Sequence, residues 1–181
     1  MKIAKLLLLT CALAVASAFA AETRSDYDRA VDLTKLKSFT FVDQSRRLAG
    51  DPLASNKLAD KRLHAAIENN LEAQGMRKEG TEADFVVAYS VTVTKKPRIS
   101  GTGYGPFRFN GGQIWVDDEI EGDAMVDFLD PQTGDLIWRG YIRATIGKPE
   151  KSEKQINDAI KKLVDKFMKD RKQQAERRSA R

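Results

Sequence analysis

Hydrophobic and polar residues alternate in several segments of the chain, which is the pattern of half-buried β-strands. The alternation is clearest from Asp84 to Thr94, where five apolar residues share one face of the segment. It recurs in Ser38 to Val42, Gln113 to Leu129 and Leu136 to Ile146. These segments predict four strands, with Gly122 as a bulge or kink in the third.

Two other segments repeat their apolar residues at the helical period of about 3.6. The first helix is predicted over Lys57 to Gln74, with Ser55 as its N-cap and Gly75 as the left-handed residue that ends it. Its apolar stripe consists of Ala59, Leu63, Ala66, Ile67 and Leu71. The second helix begins with a capping box at Ser152 and carries its apolar stripe from Ile156 to Phe167.

The predicted elements follow the order β-α-β-β-β-α. A tight turn at Asp130 to Gly134 joins the last two strands and makes them an antiparallel hairpin. Each amphipathic helix needs an apolar surface, and one side of a sheet can accept both helices. We therefore expect an α+β fold with a four-stranded, largely antiparallel sheet and two amphipathic helices on one face.

The first 20 residues have the organisation of a secretory signal. Lys2 and Lys5 precede an apolar run from Leu6 to Phe19, and Ala18-Phe19-Ala20 is a small-residue cleavage site. We predict that residues 1–20 are a cleaved signal peptide and that the mature protein is periplasmic.

Cys11 leaves one alternative open, in which it is the lipidated residue of an outer-membrane lipoprotein. It is the only cysteine, and Thr10 is a poor residue at the position before a lipidated cysteine. The apolar run also continues past Cys11 to the cleavage site. We therefore favour loss of Cys11 with the signal, which leaves a mature chain without thiol catalysis or cysteine metal sites.

The net charge of +5 belongs mainly to the C-terminal end of the chain. From Lys161 onward there are nine basic and three acidic residues, whereas residues 21–160 have a net charge of −3. The body of the protein therefore lacks the basic face of a nucleic-acid-binding domain. We predict a single domain over residues 21–168 and a basic polar tail over residues 169–181, which could contact anionic lipid weakly.

A glycine-rich stretch separates the second and third predicted strands. A phosphate-binding loop would lead into a helix, but here another strand follows, so this reading is rejected. The stretch contains Tyr104, Phe107 and Phe109. It is either a mobile connection or a surface on which these aromatic residues contact a partner.

The acidic run Asp117–Asp123 could offer oxygen ligands to a metal ion. Its spacing differs from that of an EF-hand loop, and successive strand residues face opposite sides. A solvated strand that resists edge pairing is the preferred reading. A metal-dependent enzyme that uses this run is kept as an alternative.

His64 is the only histidine, and Asp60 and Glu68 lie one helical turn away on either side. A catalytic reading would need a nucleophile, and none is evident. We interpret His64 as a surface residue with two ionic partners. Asp127 and Arg139, on the two arms of the hairpin, are predicted to form a surface ion pair. We expect no catalytic residues, no metal and no cofactor.

Several short motifs occur in an order that resembles a bacterial family known as domain of unknown function 4136. The segments that carry the resemblance are Asp26–Asp28, Phe39–Phe41, Ile67–Gly75, Ala83–Val87, Glu121–Gly122, Val126–Pro131 and Thr133–Gly140. The resemblance covers roughly residues 27–167 and implies an exported, lipoprotein-like envelope domain with no established reaction. This chain departs from the family at the lipidation site.

These observations together predict an exported periplasmic or envelope-associated domain that is a non-catalytic binding or structural module. Its expected partner is an unidentified envelope protein or surface component. Adhesion to the envelope surface through the basic tail is the second alternative.

Overall fold

The computed structural model describes residues 22–43, 51–101, 114–146 and 152–180. In chain order the elements are β1 (Glu22–Tyr27), a 3-10 turn (Leu33–Lys35), β2 (Ser38–Phe41), α1 (Pro52–Ser55), α2 (Lys57–Ala73), β3 (Arg77–Lys78), β4 (Phe85–Gly101), β5 (Ile114–Leu129), β6 (Leu136–Ile146) and α3 (Ser152–Ser179).

The strands form one six-stranded sheet in the order β1-β6-β5-β4-β2-β3. β2 runs parallel to both β3 and β4, and the other neighbours are antiparallel. The prediction of a four-stranded, largely antiparallel sheet with two helices is therefore wrong: the described residues form a six-stranded mixed sheet with three α-helices. The fold remains α+β.

The hydrophobic pattern did not predict β1 and β3, and the reasons are physical. β1 pairs with β6 from Glu22 opposite Arg143 to Tyr27 opposite Trp138. The five residues before Tyr27 are all polar or charged, so they show no hydrophobic alternation. β3 has two residues, which is too short to show any period. Both strands are held by backbone pairing at the sheet edges rather than by apolar side chains.

α2 confirms the predicted helix to within a residue at its end. Asn56, rather than Ser55, is the N-cap, and its side chain accepts a hydrogen bond from Ala59 N at 3.1 Å. Gly75 has a φ of 81° and Met76 N bonds back to Leu71 O at 3.2 Å, so the left-handed ending is as predicted.

One face of the sheet carries the core, and α2 and α3 pack on it. Four large side chains form a continuous aromatic line from β4 to α3: the ring centroids of Phe85 and Phe128 are 4.4 Å apart, and those of Phe128 lie 4.9 Å from both Trp138 and Phe167. All four are at most 1% exposed. Such burial is the main source of stability in a domain of this size.

The β5–β6 hairpin has the predicted turn, with Gly134 at a φ of 75° and Gly134 N bonded to Asp130 O at 2.9 Å. The predicted bulge at Gly122 is wrong, because the register shifts between Phe128 and Leu129 instead. The shift makes Ile137 the additional residue of β6. Its side chain is buried, as is that of the next residue, Trp138.

α3 continues to Ser179, through residues for which the sequence predicted a basic polar tail. Asp170 and Gln174 are 3% and 5% exposed, so this part of the helix is packed on the domain. The apolar period stops at Met168 because the residues that α3 buries beyond it are polar. Within the described ranges, none of the helices combines the length and hydrophobicity needed to span a membrane.

Candidate functional site

The aromatic residues proposed for partner contact, Tyr104, Phe107 and Phe109, lie outside the described residues. So do the predicted signal peptide over residues 1–20 and Cys11. The structure does describe the two strands that lead to and from the glycine-rich stretch, and their geometry sets where that stretch begins and ends.

β4 and β5 extend well past the described parts of their neighbours in the sheet. Among the described residues, β6 pairs with β5 as far as Ile120, and β2 pairs with β4 as far as Val87. Beyond Ile120 the β4–β5 ladder continues for six pairs, from Lys96 opposite Glu119 to Gly101 opposite Ile114. At about 3.4 Å per residue, this two-stranded ribbon extends roughly 20 Å. We call residues 96–101 and 114–119 the arm.

The acidic run lies partly on the arm, where the register places it opposite basic residues. The register places Asp117 opposite Arg98 and Glu119 opposite Lys96. At the other end of the run, Asp123 receives two hydrogen bonds from Arg143, at 2.8 and 3.1 Å. In the part of the chain that the structure describes, no three His, Cys, Asp or Glu residues are grouped to hold a metal ion.

The sheet surface opposite the helices, which we call the outer face, carries ordered ion pairs. Arg139 donates two hydrogen bonds of 2.7 Å to Asp127, which confirms the predicted pair. The hydrogen bonds to Asp127 raise the pKa of Arg139, and those to Asp123 raise the pKa of Arg143. Tyr141 lies between the two pairs, and its burial raises the pKa of its hydroxyl.

The outer face is therefore polar and internally paired. Asp127 and Asp123 are largely covered by their guanidinium partners, at 18% and 22% side-chain exposure. Exposed pairs of this kind contribute about 0–1 kcal/mol each. Their main effect is to keep a broad sheet surface hydrated and unattractive to apolar partners.

His64 lies in a cluster that the sequence showed only in part. Its ring stacks on Phe41 of β2 with a centroid distance of 3.8 Å, and its Nε2 is 3.4 Å from a carboxylate oxygen of Glu68. The hydroxyl of Tyr89 donates to Asp60 at 2.8 Å and lies 3.3 Å from Nδ1 of His64. The expected partners Asp60 and Glu68 are present, but the aromatic residues come from strands that no helical spacing could reveal.

Glu68 continues this cluster to the edge of the sheet, where Lys78 donates to both of its carboxylate oxygens at 2.9 Å. Each polar group in the chain from Tyr89 to Lys78 thus has a partner on another element. The arrangement fixes α2 against β2, β3 and β4. We interpret the cluster as a structural one that holds α2 on the sheet and leaves the His64 side chain partly exposed.

A second polar site lies where β2 and β4 begin. One carboxylate oxygen of Asp84 accepts bonds from the backbone N–H groups of Lys37 and Ser38 at 2.8 and 2.9 Å, and from Ser38 Oγ at 3.1 Å. Burial acts to raise the pKa of Asp84, but these hydrogen bonds outweigh it and hold the pKa below its usual value. The residues sit beside an open cavity of about 460 Å³ whose lining mixes basic and acidic side chains.

The C-terminal part of α3 binds the N-terminal segment of the domain. Asp170 accepts hydrogen bonds from Ser25 Oγ at 2.6 Å and from Trp138 Nε1 at 3.1 Å. Gln174 accepts from Leu33 N at 2.9 Å and donates to Val31 O at 2.8 Å. We call this set of contacts the clamp.

Basic residues of α3 also take part in contacts within the domain. Lys166 pairs with Asp170, Arg171 donates to Thr34 O at 2.8 Å, and Arg178 lies 3.5 Å from Asp32. A lipid-binding role for this segment would have to compete with these contacts.

Similar folds occur among solved structures, and two of them illustrate the likeness. A PDZ domain protein from Parabacteroides distasonis superimposes with a TM-score of 0.52 at 11% identity, over 79% of this chain and 34% of that one. This chain thus spans about a third of that protein. A PelC dodecamer from Paraburkholderia phytofirmans gives a TM-score of 0.48 at 16% identity, over 81% of this chain and 96% of that one. At these identities, the first likeness concerns the fold alone.

A comparison with curated proteins gives no match. A family model described as Domain of unknown function (DUF4136) matches residues 23–167. This confirms the resemblance noted in the sequence, while the lipoprotein-like detail stays a prediction. Because the matched segment is well over half of the chain, the chain belongs to the DUF4136 family.

Proposed function

We propose that this protein is an exported, non-catalytic module that binds an envelope protein or surface component through the arm and the aromatic stretch it carries. Tyr104, Phe107 and Phe109 are the proposed contact residues. The periplasm is the proposed location, reached by means of the signal peptide over residues 1–20.

The arm is the single observation that supports this proposal most. A two-stranded ribbon is at best marginally stable in water on its own. Among the described residues, neither β2 nor β6 pairs with the ladder from Lys96 to Gly101. A ribbon that pairs with no third strand in the described part of the chain is suited to contact with another molecule.

The polar clusters support the non-catalytic part of the proposal. The carboxylates of Asp60, Asp84 and Asp170 each accept hydrogen bonds from other elements of the fold. These groups are used in holding strands and helices together, which favours a structural reading of each over a catalytic one.

The test replaces residues 97–118 with Asn-Gly, which closes a two-residue hairpin at the pair Lys96–Glu119. The purified mature domain, this variant and a control variant, Arg139→Gln, are each immobilised and exposed to envelope extract. We expect one or more components to be retained by the domain and by Arg139→Gln but lost from the arm variant. Equal capture by all three proteins, or capture by none, would contradict the proposal.

Two assays separate the proposal from the enzyme alternative. Ester, phosphoester and peptide substrates should show no turnover, and millimolar calcium or zinc should leave the melting temperature unchanged, since a native-state ligand would raise it. Turnover abolished by substitution of an acidic residue in Asp117–Asp123 would overturn the non-catalytic assignment.

Export is tested on the full-length chain expressed in a bacterial host. The periplasmic fraction should contain a chain that begins at Ala21, as read by mass spectrometry, and Cys11→Ser should not alter its yield. A lipidated species that disappears in Cys11→Ser would contradict cleavage after Ala20.

A further inference from the structure

The imidazole ring of His64 has a polar group of another residue next to each of its two nitrogens. Nε2 lies 3.4 Å from a carboxylate oxygen of Glu68, and Nδ1 lies 3.3 Å from the hydroxyl oxygen of Tyr89. The side chain is 31% exposed, so protons exchange between the ring and water. The number of protons on the ring therefore decides how many of these contacts are hydrogen bonds.

The hydroxyl of Tyr89 determines what Nδ1 must do. A tyrosine hydroxyl has one hydrogen, and here it is donated to Asp60 at 2.8 Å. The Tyr89 oxygen is then an acceptor toward His64, so Nδ1 makes a hydrogen bond to it only when Nδ1 carries a proton. The carboxylate of Glu68 is also an acceptor, and Nε2 makes a hydrogen bond to it only when Nε2 is protonated too.

A neutral imidazole has only one N–H group and cannot satisfy both neighbours. Whichever nitrogen keeps the proton, the other directs a lone pair at an oxygen lone pair of Tyr89 or Glu68. Tyr89 relieves the contact only by turning its hydrogen away from Asp60, which leaves that carboxylate without this bond. The doubly protonated imidazolium makes both hydrogen bonds, and both are then of the stronger, charge-assisted kind.

The charged groups that face His64 among the described residues also favour the imidazolium. Asp60 and Glu68 lie one turn away on α2, and Lys78 of β3 donates to both carboxylate oxygens of Glu68 at 2.9 Å. Two carboxylates and one ammonium give −2 + 1 = −1, which a protonated His64 neutralises. Lys61, also one turn away on α2, is exposed and takes part in none of these contacts.

The two central strands that contact the ring add no charge at neutral pH. Phe41 of β2 stacks on it with a centroid distance of 3.8 Å, and the face of an aromatic ring attracts a positive charge placed over it. Partial burial acts in the opposite direction and lowers the pKa of a histidine. Because the ring keeps about a third of its exposure and gains two charge-assisted hydrogen bonds, we expect the bonds to outweigh burial.

We propose that His64 is a pH-dependent contact between α2 and the sheet, which stabilises the fold when the ring is protonated and weakens when it is neutral. The folded protein then raises the pKa of His64 above the unfolded value of about 6.5. The contribution to stability is fully present below the unfolded pKa and is lost as the pH rises through the folded pKa. This inference depends on neither the arm nor the proposed function.

Proton NMR measures the titration of His64 directly, because it is the only histidine of the chain. The purified mature domain, made without a histidine tag, is titrated from about pH 5 to about pH 9, once folded and once unfolded in urea. We expect the folded protein to hold the proton about tenfold more tightly, with a midpoint near pH 7.5 against about 6.5 in urea. A folded midpoint equal to or below the unfolded one would overturn the proposal.

Three variants test which contacts hold the proton. Glu68→Gln removes the charged acceptor of Nε2–H and should lower the folded midpoint most. Tyr89→Phe removes the acceptor of Nδ1–H and should lower it less. Glu72→Gln is the control, since it makes the same change in net charge one turn further along α2 and should leave the midpoint nearly unchanged. A midpoint that responds to all three variants equally, or to none, would contradict the assignment of these contacts.

Urea denaturation at several pH values tests the consequence for the fold. Between about pH 6 and about pH 8.5, the folding equilibrium constant of the parent protein should fall by up to about tenfold relative to that of His64→Gln. Other groups that titrate in this range, such as the terminal amine, are the same in both proteins and cancel. Parallel profiles would show that His64 binds its proton equally in both states and would overturn the proposal. If His64→Gln does not fold, the NMR titration of the parent decides alone.

Discussion

Two regions of the sheet are built in opposite ways. At one flank, β1 is a polar edge strand that the clamp covers, with Ser25 bonded to the buried carboxylate of Asp170. In the middle of the sheet, β4 and β5 continue together beyond the described parts of β2 and β6 into the arm. A polar strand can thus be firmly held when its side chains find buried partners, because a satisfied buried hydrogen bond contributes to stability. The arm, in contrast, is described by the backbone ladder between β4 and β5 alone.

The largest expected effect is at the clamp. Asp170→Ala would leave the indole N–H of Trp138 and the hydroxyl of Ser25 without their acceptor, and we expect a loss of about 2–3 kcal/mol in the free energy of unfolding. The matched control on the same helix is Asp165→Ala, which breaks an exposed pair with Lys161 and should cost no more than about 0.5 kcal/mol. Urea denaturation of both variants measures the difference. Similar losses would mean that the clamp is no stronger than a surface pair.

A second variant tests the packing between the clamp helix and β6. A Cβ at Gly140 would overlap the indole ring of Trp138 and lie 2.9 Å from Cγ of Leu163. Gly140→Ala should therefore cost about 1–3 kcal/mol through overpacking. Gly80→Ala is the control, since a Cβ there meets nothing within 4 Å, and it should be nearly neutral. Thermal melts of the two variants decide the matter, and a neutral Gly140→Ala would contradict the packing described for this flank.

The third prediction concerns Asp84, where β2 and β4 begin. The pKa of Asp84 is lowered in the folded protein, so its contribution is present above the unfolded pKa of about 3.9 and is lost as the pH falls through the folded value. Asp84→Asn should reduce stability at neutral pH and flatten the stability profile below about pH 4. Denaturation curves measured from about pH 2 to about pH 7 would show this. An unchanged profile would mean that the bonds from Lys37 and Ser38 do not favour the carboxylate.

A smaller effect is expected on the outer face. Arg139→Gln removes one bidentate ion pair with Asp127, where the arginine is 46% exposed, and should cost about 0.5–1 kcal/mol. The loss should shrink at high salt, because screening weakens exposed pairs. Denaturation at low and high salt provides the check. A loss as large as that of Asp170→Ala would remove the contrast between the outer face and the clamp.

The sequence predicted those parts of the fold whose residues repeat with a strong period or whose turn chemistry is local. Of this kind are α2, the strands β5 and β6, Gly75, the turn at Asp130 to Gly134 and the pair between Asp127 and Arg139. All of these depend on neighbours within a few residues or on one hairpin register. The pattern predicted β4 only as far as Thr94, whereas the strand continues to Gly101, because the residues beyond Thr94 no longer alternate.

The remaining parts depend on contacts between distant segments. Gln174 looks like a tail residue until its amide is seen to bond Leu33 N and Val31 O, more than a hundred residues away along the chain. His64 looks like a surface ion pair until Phe41 stacks on it. β1 escapes because its side chains are polar and its pairing with β6 is a matter of backbone bonds. No local pattern carries this information.

The account rests on the claim that stability resides at the clamped flank and that the arm is available for contact. The most direct measurement is the free energy of unfolding, by urea, of the variant in which Asn-Gly replaces residues 97–118. Shortening a connection changes closure entropy only slowly, so we predict a change of about 1 kcal/mol or less in either direction. A loss of more than about 3 kcal/mol would show that the arm is part of the stable fold and would contradict the account.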